Sequence, residues 1–311
     1  MVPEKVRVLL DTDANNEIDD QHAIAYLLLS GDVFVVEGLT VNRTDNGGDI
    51  EEQAKEAERV VKLCALHPEL TVTRGASASF EEIAPHLGER DFDGADAVDL
   101  IIARAHAAEK QKLVLLPIGK LTNIALALKK DPGITDKVKV VWLGSNYPGP
   151  GEYNLDNDVA SMNYVLDSDV EFEMAVVRYG AASGTSAVRV TPQDVVQNLA
   201  GKGPRAAAPV TGRNGGTFTN FGDYSLDLLE HIDLYGDPPS RSLYDMAAVA
   251  IVKNTAWAEA RSIAAPILEN GAWRERPDNP RSIVIRENFD KQAIVDDFYA
   301  TMNNYQLADL R

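Results

Sequence analysis

Asp11, Asp13, Glu17, Asp19 and Asp20 place five acidic groups inside ten positions of one stretch, LLDTDANNEIDD at residues 9 to 20. Asp11 and Asp13 leave an apolar run at a spacing of two, so both project from the carboxyl edge of a strand, while Asp19 and Asp20 open the helical pattern DQHAIAYLLLS. This aims four carboxylates at one point, where they repel one another unless a cation neutralises them. A solvated turn in which Asp19 or Asp20 caps the next helix explains one or two of the acids, not four. Because only oxygen ligands are on offer, the ion is a hard one, Ca²⁺ or Mg²⁺, and not zinc. The pattern is no EF-hand: counting from Asp11, Asn16 stands where Gly is required and His22 where the bidentate Glu belongs.

The elements that must hold these groups are short β-branched runs alternating with longer helical patterns. VRVLL, DQHAIAYLLLS, VFVVEGLTV, IEEQAKEAERVVKLCAL and LTVTRG read β-α-β-α-β. The rhythm continues through a helix at 95–108, strand KLVLLPIG, helix LTNIALALKK, strand KVKVVWLGS, helix VASMNYVLDS and strand VEFEMAVV. Such alternation predicts an α/β fold with a mainly parallel central sheet flanked by helices, in which ligands bind beyond the carboxyl ends of the strands. After residue 177 the pattern loosens. Residues 201–222 read as a mobile loop, followed by helices DYSLDLLEHIDLYG and SLYDMAAVAIVKN, strands near 261–269 and 281–287, and a closing helix near 289–304. One domain over 1–311 is expected.

The totals narrow the partners. Thirty Lys and Arg against 48 Asp and Glu give a formal charge of -18, which disfavours nucleic acid and anionic membrane surfaces and suits a neutral ligand or a cation. Cys64 is alone, so there is no internal disulfide, and it is expected buried. The longest apolar region is interrupted at Ser30-Gly31-Asp32 and is too short on either side to span a bilayer. The opening MVPEK runs at once into a strand, so no signal peptide is expected and the cytoplasm is the default location.

LLDTDANNEIDD resembles the Asp-x-Asp-x-x-x-Asp-Asp signature of the calcium-dependent, inosine-uridine preferring nucleoside hydrolases, with a longer turn between the acid pairs. Four further stretches follow in that family's order: TVN at 40–42, IGKLTNIA at 118–125, LGSNYPGPGEYN at 143–154 and LYDMAAVA at 243–250. The resemblance implies a Rossmann-like nucleoside hydrolase fold and cleavage of the N-glycosidic bond of ribonucleosides to ribose and free base, as in purine and pyrimidine salvage. It implies Ca²⁺ held by Asp13, Asp20, Asp245 and the carbonyl of Ile118, with Asp13 also the base for the calcium-bound water. Asp19, Asn42, Asn146, Glu152 and Asn154 match positions that hydrogen-bond the ribose and 5′ hydroxyls, and Asp11 matches an acid that steadies the site. A homodimer or homotetramer is implied as well.

One position departs from the pattern. Many members carry a His immediately before the late metal-binding Asp, placed to protonate the departing base; here it is Tyr244, a poorer acid at neutral pH. His231, Tyr224 and Tyr235 lie on a segment that would close over the base, although a partly exposed helix residue is the plainer reading of His231. Plain roles also exist for Asn42 as a turn residue, for Thr122 or Asn123 as a helix cap, and for Glu152 as a loop acid beside a packed Tyr153. Three alternatives to nucleoside hydrolysis follow: a ribosidase acting on a non-nucleoside ribofuranoside, a calcium-dependent sugar-binding protein without turnover, and a haloacid-dehalogenase-type phosphatase. The last also begins Asp-x-Asp after a strand, but Asn15 fills the place of its Thr or Val.

Overall fold

The computed structural model describes residues 4–311, so the first three residues of the opening MVPEK lie outside it. The expected alternation is present as β1 (Val6–Thr12), α1 (Asp19–Leu28), β2 (Phe34–Val41), α2 (Ile50–Leu63), β3 (Val72–Arg74), α3 (Ala95–Ala105), β4 (Leu113–Pro117), α4 (Thr122–Lys130), β5 (Val138–Leu143), α5 (Tyr153–Asn157), α6 (Val159–Asp167) and β6 (Glu171–Ala175). After α7 (Phe221–Glu230) and α8 (Tyr244–Lys253) the chain adds β7 (Glu259–Ala264), β8 (Ser282–Glu287), α9 (Lys291–Asn303) and β9 (Asp309–Leu310). These strands form a nine-stranded sheet in the order β7-β8-β6-β5-β4-β1-β2-β9, with β3 also on β2. Every pairing is parallel except β7 with β8.

Both faces of the sheet are covered, which is why β1, β2 and β4 read as continuous apolar runs and not as alternating ones. One core cluster gathers Tyr26, Val60, Met246 and Phe298 from α1, α2, α8 and α9; the other gathers Ile101, Ile124 and Val165 from α3, α4 and α6 around Trp142. The break at Ser30-Gly31-Asp32 turns α1 into β2. A Cβ on Gly31 would lie 2.0 Å from the Leu307 carbonyl oxygen, so the turn is closed by chain that only glycine can admit. Cys64 is buried. Among the described residues, no helix is long and apolar enough to cross a membrane.

The loosely patterned half differs from expectation in three places. Residues 201–222, read as a mobile loop, contain an antiparallel hairpin, Val210–Gly212 with Gly215–Phe218, turned at Arg213-Asn214, with Gly215 and Gly216 at positive φ where the register shifts after the turn. The helix read through residue 236 ends at Glu230, and the chain then runs on to a bridge between Tyr235 and Ser240. The strand read over 261–269 is two pieces, because Pro266 has no N–H for the ladder; Ile267–Glu269 instead pairs with Ala272–Arg274.

The parallel register determines what meets at the carboxyl edge. Asp11 lies opposite Thr40 of β2 on one side and Pro117 of β4 on the other. Asp13, Asn42 and Ile118 therefore leave three adjacent strands at the same level.

Candidate active site

Asp11 is the foundation of this edge. It is fully buried, and Thr40 Oγ1 (2.6 Å), Asn42 Nδ2 (2.9 Å) and Asn123 Nδ2 (2.7 Å) all donate to its carboxylate. Burial raises its pKa above the usual carboxylate range, and the three donors offset only part of that rise. Asn123 also accepts from Ala76 N at 2.8 Å, while Thr122 donates to Asp158 at 2.5 Å. Neither residue caps α4, whose N-cap is Leu121 without a side-chain bond, so the helix-cap reading of this pair is corrected. The same holds for Asp19 and Asp20: the N-cap of α1 is Ile18, and both acids belong to the first turn.

Above Asp11, the floor of a cavity is acidic. Asp19, Asp20 and Asp245 each offer a carboxylate oxygen within 4.8 Å of the others, all three are buried, and Asp13 lines the same cavity. Thr44 Oγ1 donates to Asp13 Oδ2 at 2.6 Å, Thr12 Oγ1 to Asp20 Oδ1 at 2.5 Å, and the backbone N–H of Asp245 faces Asp19 Oδ2 at 3.4 Å. Burial pushes Asp13 up to about 6 and, with repulsion from Glu17, Asp19 up to about 7. Burial and then the neighbouring aspartates drive Asp20 and Asp245 well above the usual carboxylate range. Arg241 acts on Asp19, yet its guanidinium is taken by Glu17. Four buried carboxylates with no paired lysine or arginine among the described residues form an all-oxygen donor set that fits a hard cation. The grouping differs from the implied ligand set in one respect: the trio contains Asp19, which the resemblance assigns to the sugar, and not Asp13.

Ile118 also lines the cavity, and its carbonyl accepts from Asn154 Nδ2 at 2.9 Å. Gly119 lets the strands close here, since a Cβ would lie 2.8 Å from both Asp13 Oδ1 and Asn42 Nδ2. Glu152 is buried on the opposite wall as the N-cap of α5, accepting from Ser145 N (2.8 Å), Asn154 N (3.1 Å) and Leu155 N (3.0 Å). Burial nevertheless pushes it up to about 7. Asn42 and Asn146 are set behind the wall. Asn42 braces Asp11 and keeps a buried Oδ1 without a partner; Asn146 Oδ1 accepts from Tyr179 N at 3.1 Å.

The cavity, about 440 Å³ including its open mouth, is rimmed by Asn16, Glu17, Tyr179 and Tyr244. Tyr244 meets Tyr179 edge to face, with ring centroids 5.9 Å apart at 89°. The other candidates for the leaving-group end are elsewhere. His231 is exposed and hydrogen-bonded to the Asp227 carbonyl at 2.8 Å, Tyr224 is buried and donates to Glu56 at 2.6 Å, and Tyr235 is 57% exposed. His231 thus fits its plainer reading, as a helix-end residue outside the cavity. Sequence reasoning missed Tyr179, Thr44 and Arg241 and gave Glu17 no role. Tyr179 lies in RYGAAS beyond β6, a stretch without a motif, and only its place at a strand's carboxyl end could have marked it.

An acidic, cation-fitting cavity at the carboxyl edge of a mainly parallel α/β sheet lies where folds of this class bind small ligands. Residues 8–296 match the family model for inosine-uridine preferring nucleoside hydrolase, and the chain belongs to that family. It is 26% identical over 227 residues to probable uridine nucleosidase 1 of Oryza sativa subsp. japonica, covering 64% of this chain and 65% of the relative. It is 30% identical over 182 residues to the inosine-uridine preferring nucleoside hydrolase of Leishmania major, covering 52% of this chain and 54% of the relative. The chain thus matches less than two thirds of the length of either. Its fold is similar to that of a plant nucleoside hydrolase, with a TM-score of 0.73 at 17% identity over 96% of this chain and 99% of that one. An inosine-uridine preferring nucleoside hydrolase from Bacillus anthracis superposes with a TM-score of 0.69 at 16% identity, covering 96% and 99%.

Proposed function

We propose that this protein hydrolyses the N-glycosidic bond of ribonucleosides, giving ribose and the free base, and that its cation is calcium. The observation that carries the reading is the gathering of Asp13, Asp19, Asp20, Asp245 and Ile118 around one cavity, with Glu152 also in its wall. Calcium held by Asp13, Asp20, Asp245 and the Ile118 carbonyl would supply water activation and a grip on the ribose diol. Asp13, already fixed by Thr44 through Oδ2, accepts the proton of the attacking water. Asp19 and Glu152 favour the positive charge that develops at the anomeric carbon. Asn154, with Asn42 and Asn146 behind it, orients the sugar hydroxyls, and Asp11 keeps this edge from shifting.

At the mouth, burial raises the Tyr244 hydroxyl above its ordinary value. Tyr244 therefore serves as a hydrogen-bond donor to the departing base and keeps its proton until the C–N bond has opened. A second reading, a ribosidase acting on a non-nucleoside ribofuranoside whose leaving group needs little protonation, is favoured by one observation: among the described residues, no histidine lines the cavity. We further propose a cytoplasmic homodimer or homotetramer.

The test is release of reducing sugar from a nucleoside panel and from p-nitrophenyl riboside, with and without chelator. Calcium-dependent release from natural nucleosides supports the first reading and release from the activated riboside alone supports the second. No release from either rejects both and leaves a sugar-binding protein.

A further inference from the structure

The turn between the two acid pairs, longer here than in the family signature, brings Asn16 and Glu17 into the cavity wall beside Tyr179 and Tyr244. The floor acids are buried, whereas the Glu17 side chain is 38% exposed, so Glu17 stands at the mouth. It does not swing freely. Arg241 Nη2 pairs with Glu17 Oε2, Arg241 Nη1 donates to the Asp233 carbonyl at 3.2 Å, and the guanidinium lies over the Tyr235 ring at 5.5 Å. Among the described residues, no donor reaches Glu17 Oε1.

On the ribonucleoside reading, a sugar seated on the buried acids would direct its leaving group toward the exposed rim, where Tyr179, Tyr244 and Glu17 line the cavity. A carboxylate held by a guanidinium is an acceptor and nothing else. It forms charge-assisted bonds with N–H edges and is repelled by carbonyl edges. Two adjacent N–H donors suit it best. A 2-amino-6-oxopurine presents such a pair, a 6-oxopurine without the amino group presents one N–H beside a carbonyl, and a 2,4-dioxopyrimidine presents one N–H between two.

We infer that Glu17, held by Arg241, is a specificity-determining residue that selects leaving bases with adjacent N–H donors, favouring a guanine-type base over a hypoxanthine-type one. The inference rests on the ribonucleoside reading above. Guanosine and inosine differ only in the 2-amino group, so kcat/KM for the two isolates the contact. The wild-type ratio is expected to favour guanosine by about 10-fold, the value of one hydrogen bond to a charged group. Glu17→Gln and Glu17→Ala should each bring the ratio to within about 2-fold, because guanosine loses the contact and inosine does not, while any effect passed through Arg241 or Asp19 is common to both substrates and cancels in the ratio. A wild-type ratio at or below one overturns the inference without recourse to any variant. A preference for guanosine that survives in both variants also overturns it, while leaving nucleoside hydrolysis intact. If the wild-type protein releases ribose from no nucleoside, the ribonucleoside reading falls and this inference with it.

Discussion

Calcium should stabilise this protein more at pH 8 than at pH 5, by an amount that the buried acids set. Burial holds the Asp13 carboxyl at about 6, against 3.8 in the unfolded chain. At about 1.36 kcal/mol for each pH unit of that gap, ionising Asp13 in the metal-free fold costs on the order of 3 kcal/mol. The sign follows from the raised value: below about pH 4 both states are protonated and the cost is absent, it grows as pH rises toward 6, and it is fully present above. Asp19, pushed up to about 7, extends the window by a further unit. Part of this cost is already present at pH 5, so only the last unit of the gap, about 1.4 kcal/mol, separates pH 5 from pH 8; an unfolding entropy near 2.1 cal/mol/K per residue gives roughly 0.65 kcal/mol/K for this chain, so that difference corresponds to about 2 °C. Scanning calorimetry of chelator-treated and calcium-saturated protein should therefore show a calcium-induced rise in Tm at least about 2 °C larger at pH 8 than at pH 5. Titrating groups away from the site contribute to both samples and cancel in the difference, while Asp19, Asp20 and Asp245, raised for the same reason as Asp13, add to it in the same direction. An equal rise at the two pH values, or none at pH 8, would refute the assignment of the acidic floor as the cation site.

Asp13→Asn removes the base while keeping the side-chain shape, and should lower kcat by about 100- to 10,000-fold with calcium still bound, measured by ribose release and calorimetric titration. Tyr244→Phe should slow natural nucleosides and spare p-nitrophenyl riboside, whose leaving group needs no proton; equal loss on both would mean that the ring packs and does not donate. Asn123→Ala strips one donor from buried Asp11 and leaves Ala76 N without its acceptor, so chemical denaturation should show a loss of about 1–3 kcal/mol.

The half of the chain up to residue 177 was legible because each parallel strand is buried on both faces and ends where its chemistry begins. The acids of residues 11–20 announced a cation site for the same reason: too many carboxylates left one strand edge for solvent alone to explain. The later half hid more. The hairpin at 210–218 is built from Gly, Thr and Val with little apolar alternation, and its place against Arg59 of α2 depends on tertiary contact. Thr122 and Asn123 looked like caps because a polar pair at a helix start usually caps. Here Asn123 turns to a carboxylate 112 positions away, a partner that no local rule supplies. Tyr179 and Arg241 were invisible for a similar reason, since each gains meaning only from a residue on another loop.

Elsewhere in the molecule, three buried glutamates come with their own counterions. Glu37 has Arg7 at 2.6 Å, Glu173 has Arg286 at 2.6 Å, and Glu56 has Arg59. At the carboxyl edge of the sheet the chain withholds that arginine, and the missing positive charge becomes an address that only a visitor can fill. A lysine or arginine arising on this wall would complete the pattern seen in the rest of the fold, gain stability, and close the address for good.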